Sequence, residues 1–131
     1  MIEHELLIVT IETMWPNLVH GQDYLVAHPI DNATGEHAGD AYIMRWSAKN
    51  ISEPDIAFLL SQCESNRPAL NGRKALVTRS TLLSQTDWTQ VPDAPLTADQ
   101  VAAYKTYRQA LRDVPQQAGF PTTIKWPTVP A

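Results

Sequence analysis

The chain has 131 residues, 44% of them hydrophobic, which allows one modest core or two very small ones. A formal charge of −4 and a pI near 5.4 withhold the basic footprint of a nucleic-acid binder, so the four Trp and four Tyr suit protein surfaces better than stacked bases. Cys63 is alone and supports neither a disulfide framework nor a cysteine-based zinc site, no stretch is apolar for long enough to span a bilayer, and the N-terminus lacks a basic n-region and cleavage site. A protein made in a reducing cytoplasm is expected.

Residues 5–15 carry Leu6, Leu7, Val9, Thr10, Ile11 and Met14 at positions open to helix or strand. The β-branched run Ile8 to Ile11 favours a strand; Glu3, Glu5 and Glu12 early in the segment and a stop at Pro16 favour a helix, which is the element expected. Residues 24–28 and 41–46 are short, aromatic and β-branched, and they flank a loop with Asp31, Asn32, Gly35 and Gly39, the pattern of an irregular hairpin. Alternation puts Tyr42, Met44 and Trp46 on one side of the second strand, with Ile43 and Arg45 on the other.

Ser52 is the expected cap of the next helix, with Pro54 in its first turn and an apolar stripe of Ile56, Leu59, Leu60 and Cys63. Arg67-Pro68 and Asn71-Gly72 read as two breaks. Helical periodicity then resumes over 73–85 with Leu76, Val77, Leu82 and Leu83. Thr97 and Gln100 match a capping box that opens a helix ending near Asp113-Val114-Pro115. Pro121, Pro127 and Pro130 make the remainder extended. The fold class expected is α+β: an α-β-β-α module over 1–70, then a helical hairpin with a Pro-rich tail over 71–131.

Two ordered motif strings carry resemblances. Over 14–62, Trp15-Pro16-Asn17, Asp23-Tyr24, Tyr42-Ile43-Met44-Arg45-Trp46 and a helix opened by Pro54 resemble small tail-region proteins of defective prophages. Over 79–130, Thr86-Asp87-Trp88, Asp93 followed by Pro95-Leu96-Thr97, Tyr107-Arg108 with Leu111-Arg112-Asp113, and Trp126-Pro127 resemble the C-terminal domain of bacteriophage tail assembly chaperones, the tail-fibre-assembly type included. The resemblance implies binding of a tail or tail-fibre protein in the host cytoplasm, as chaperone or assembly factor. The alternative is a structural component of the virion tail, in the baseplate or fibre-attachment region.

The residues expected to meet such a partner are Asp87, Trp88, Asp93, Tyr104, Tyr107, Arg108, Arg112, Trp126 and Pro127. Each has an internal reading beside the functional one. Trp88 can pack over the turn while Asp87 and Asp93 cap backbone donors. Arg108 and Arg112 can share an exposed stripe that grips carboxylates, or Arg108 can pair with Asp87 or Asp93 across the hairpin. The tail can present Trp126-Pro127, or fold back over the hairpin.

His4, His20, His28 and His37 lack the spacing of a helical metal site and read as solvated loop residues. Cys63 on an apolar stripe reads as a small buried hydrophobe. No acid, base and nucleophile cluster together, so neither an enzyme nor a cofactor is expected, and the partners expected are proteins, without nucleic acid or membrane. Self-association into a homo-oligomer stays open.

Overall fold

The structure, a computed structural model, describes residues 1–131. It contains helices α1 (His4–Met14), α2 (Ile56–Cys63), α3 (Arg67–Thr86) and α4 (Ala98–Asp113), strands β1 (Tyr24–Ala27) and β2 (Tyr42–Trp46), and 3-10 turns at Glu64–Asn66, Asp87–Gln90 and Val114–Gln116. This is the mixed helix and strand architecture expected. Contacts divide the chain into two compact units, Met1–Leu70 and Asn71–Ala131.

In the first unit α1 is the central element. Leu6, Leu7, Val9, Thr10 and Ile11 are all buried, so tertiary burial overrides the strand propensity of the β-branched run. The Thr10 hydroxyl stays satisfied by donating to the Leu6 carbonyl (2.8 Å) and lies 3.4 Å from Cys63 Sγ. Tyr24, Val26, Leu59, Cys63 and Leu70 complete this core. Cys63 is fully enclosed, and burial pushes its thiol pKa up, as for an inert hydrophobe.

The second strand departs from simple alternation. Tyr24 pairs with Trp46 and Leu25 with Arg45, but Val26 pairs with Ile43, which leaves Met44 as a bulge. The extra residue turns Ile43 to the same side as Trp46, and both pack on the core, whereas Tyr42 and Met44 are exposed. The expected grouping of Tyr42 and Met44 with Trp46 is therefore corrected. Trp46 lies edge-on to Trp15 (5.7 Å) and beside Tyr24 (5.8 Å), and its indole N–H donates to the Ile51 carbonyl (2.8 Å).

Two helix boundaries also differ from expectation. Asp55 caps α2, its carboxylate accepting from Phe58 N–H at 3.0 Å; Ser52 does not, and Pro54 lies ahead of the cap. An ionised carboxylate is a strong acceptor for this donor. Helix α3 runs through Asn71-Gly72 without a break. A glycine in a helix costs only about 1 kcal/mol relative to alanine, which burial of Leu70 and Ala75 on either side can offset.

In the second unit α3 and α4 form an antiparallel hairpin. Arg79 reaches the Leu111 carbonyl, Arg108 reaches Leu83 and Thr86, Trp88 meets Tyr104, and Gln90 reaches the Val101 carbonyl, so positions fall along one helix as they rise along the other. The capping box at Thr97 and Gln100 is present with both bonds made. Leu76 and Val77 are exposed, against the expected apolar stripe, because α3 turns Ala75, Arg79, Leu83 and Thr86 to its neighbours in this unit. The tail folds back. Phe120 and Pro121 lie beside Gly72, and the Gln117 side chain brackets the Lys125 main chain with bonds of 2.8 and 2.9 Å.

Candidate partner-binding surface

The hairpin's closed end gathers Asp87, Trp88, Tyr104 and Arg108. Arg108 is only 9% exposed, and one guanidinium nitrogen donates to the Leu83 carbonyl (2.7 Å) and Thr86 Oγ1 (2.9 Å) while the other meets Asp87 Oδ1 at 2.8 Å. The first of these bonds satisfies the Leu83 carbonyl in the last turn of α3, where a helix leaves acceptors without partners. Arg108 and Arg112 thus do not share an exposed stripe: Arg108 is turned inward as a tie, and Arg112 alone faces solvent.

Trp88 is 49% exposed and lies 6.3 Å from the Tyr104 ring, so it packs over the turn only with one flank. Tyr107 is buried, and Asp93 is exposed with no bond inside the chain. Trp126 is half-buried against the start of α3, where it joins Asn71, Lys74, Ala75, Thr78, Pro121 and Ile124 around a cleft of about 310 Å³; Pro127 is half-buried beside it in the chain. The nine positions thus fall in separate places, the hairpin end, the outer face of α4 and the tail.

The outer face of α4 was not fully legible in the sequence. Arg112 shares it with Lys105, Thr106, Gln109, Ala110 and Asp113, around a shallow cleft of about 520 Å³. The spacing of Lys105, Gln109 and Arg112, at i, i+4 and i+7, is the signal that could have marked it. Charge sharpens the picture. Residues 1–70 hold ten acids and three bases, a formal −7, and residues 71–131 hold four acids and seven bases, a formal +3, which together give the chain's −4. The acidic total conceals a basic second unit.

Three of the four histidines, His4, His20 and His28, are partly buried and depart from the solvated reading, while His37 is exposed on the loop as expected. His4, first in α1, and His28, just after β1, place Nδ1 atoms 2.7 Å apart with stacked rings, and His37 from the loop lies 3.6 Å from His28, ring centre to ring centre. No group of three or more His, Cys, Asp or Glu is arranged to hold a metal ion. Partial burial, then the neighbouring His37 and His4, lower the pKa of His28 below its ordinary 6.5, with Glu5 opposing. A depressed folded-state value means that this contribution to stability is present above pH 6.5 and is lost as pH falls through the ordinary value toward the folded one. Urea midpoints should therefore fall between pH 7 and pH 5, and His28→Gln should flatten that decline; an unchanged decline would place its origin elsewhere. Glu64, held below the usual carboxylate range by its bonds to Arg67, contributes only in a more acidic window.

Both resemblances are matched by family models. Residues 73–131 match the phage tail assembly chaperone protein family. Residues 7–69, ahead of them, match the XkdW protein family. Neither the curated proteins nor the solved structures provide a match. The tail assembly chaperone match supports a role in phage tail assembly, and no helix is long and apolar enough to cross a membrane.

Proposed function

We infer that the chain is a non-enzymatic assembly factor that binds a tail or tail-fibre protein of the phage and shields it until it joins its own assembly. The family match over 73–131 carries this reading. The outer face of α4 supports the mode of binding: Arg112 makes no bond inside the chain and stands with Lys105 on a unit of net positive charge, so it suits a client that offers carboxylates beside apolar surface. Such a client aggregates when apolar surface or strand edges stay uncovered during folding, and a bound partner removes that hazard. Trp88, Tyr104, Trp126 and Pro127 extend the contact, while Arg108 and Tyr107 hold the helix that presents it.

Co-expression of the full chain with the products of neighbouring tail genes tests the reading. The wild type should keep one of them soluble. Arg112→Ala should leave the melting transition unchanged yet weaken the complex, with a deficit that shrinks as salt rises. Mass spectrometry of purified virions should find the chain scarce or missing. A stoichiometric copy there would assign it to the virion structure, and an Arg112→Ala chain that solubilises its client as well as wild type would move the interface off α4.

A further inference from the structure

A two-stranded sheet has two edges; here the β1 edge is closed, and the β2 edge is covered only at its start, where Ala41 N–H donates to the Ile2 carbonyl (2.8 Å). On the β1 side, Gly21 N–H donates to the Tyr24 carbonyl (2.7 Å) and Val26 N–H donates to His20 Nε2 (3.2 Å). Along β2, no main-chain group from Tyr42 to Trp46 has a hydrogen-bond partner outside the β1 ladder. An edge left open in this way is a template for another strand. Beside it lies a cleft of about 260 Å³, lined by Tyr42 and Ile43 of β2 and by Glu53, Pro54, Asp55 and Ile56 at the entry to α2.

Three observations say what fits there. The lining is partly apolar, and the neighbouring Met44 is 61% exposed and Tyr42 also faces solvent, so apolar side chains stand along the open part of this edge. Glu53 is exposed and makes no bond inside the chain, and the Asp55 carboxylate uses one oxygen on Phe58 N–H. Finally, this unit carries −7, and the one arginine on the strand, Arg45, is already bonded to the Gly21 and Gln22 carbonyls and to Ser47.

We propose that the β2 edge is a docking site for an extended, basic segment of another protein, which adds as a third strand, sets an apolar side chain into the cleft and places Lys or Arg against Glu53 and Asp55. Main-chain bonds supply the affinity in this mode, and the cleft and the two acids supply the selection. A second copy of this chain is the poorer occupant, because it would set two units of −7 against each other. The Met44 bulge twists the edge and keeps regular pairing short. The site belongs to residues 1–70 and is independent of client binding by residues 71–131.

The test uses the full chain and fluorescent peptides of alternating Lys and Val, alternating Glu and Val, and the Lys-Val peptide with every second amide N-methylated. The Lys-Val peptide should bind saturably and at least about tenfold more tightly than the Glu-Val peptide at low salt. Glu53→Lys, on an exposed side chain without internal bonds, should leave melting intact and erase that preference, and N-methylation should abolish binding. Failure of the Lys-Val peptide to bind, equal binding of its N-methylated form, or a preference unchanged in Glu53→Lys would overturn the proposal. So would sedimentation of the chain as a dimer that Tyr42→Glu dissociates, since the occupant would then be a second copy.

Discussion

Arg108→Ala should lower the unfolding free energy of the C-terminal hairpin by about 3 kcal/mol, the scale seen when one member of a buried polar network is removed. The loss does not come mainly from the ion pair. The Asp87 side chain is 66% exposed, so solvent and salt screen that partner, and Asp87→Ala should cost under about 1 kcal/mol. The larger part comes from the Leu83 carbonyl and the Thr86 hydroxyl, which Arg108 meets at 2.7 and 2.9 Å; alanine would leave the carbonyl at this helix end with only the longer bond from Thr86 Oγ1 (3.1 Å) and the hydroxyl without its charged donor. This unit has few buried apolar side chains, Ala75, Tyr107, Leu111 and Val114 among them, so one tie weighs heavily. Urea denaturation followed by tryptophan fluorescence would measure it. Arg108→Lys should recover only part of the loss, because an ammonium lacks the planar fork that reaches the end of α3 and Asp87 at once. Equal losses from Asp87→Ala and Arg108→Ala would place the energy in the ion pair instead.

The residues of this chain make different parts of the fold readable. The Thr97 and Gln100 box is local, since both partners lie within one turn, and it appears as expected. The α1 segment was readable only through its acids and Pro16, because its β-branched run points to a strand and burial on several sides decides the outcome. The Met44 bulge was hidden because alternation assumes one residue opposite one residue, and nothing within β2 announces the slip. Continuity of α3 through Asn71-Gly72 rests on the tertiary burial of Leu70 and Ala75, which the local Asn-Gly signal does not announce, and the inward turn of Arg108 depends on Leu83 and Thr86, far away in sequence. The site follows the same division. Spacing alone could place Arg112 and Lys105 on one face of α4, whereas the separation of Trp126 from the hairpin's closed end required the fold-back of the tail.

That fold-back rests on Gly119, and Gly119→Ala should destabilise the second unit by about 2 kcal/mol, the range for forcing a group into filled space. A Cβ at this position would lie 2.5 Å from the Thr123 carbonyl oxygen and 3.1 Å from Thr123 Cβ. The obstacle is main chain, so no side-chain rotation relieves it. The turn must open, and with it the bond from Thr123 N–H to the Gly119 carbonyl, now 2.7 Å. The Gln117 bracket on Lys125 spans this turn, so the displacement would pass to Trp126 and loosen the cleft it forms with α3. Native-state fluorescence should shift to longer wavelength as Trp126 gains solvent, and the shift should vanish in a Trp126→Phe background. The same variant divides the proposed interface into its parts. If client solubility falls in Gly119→Ala at a temperature where the hairpin stays folded, the tail belongs to the contact; if solubility holds while Arg112→Ala reduces it, the client is read by the outer face of α4, and Trp126-Pro127 serves to brace α3.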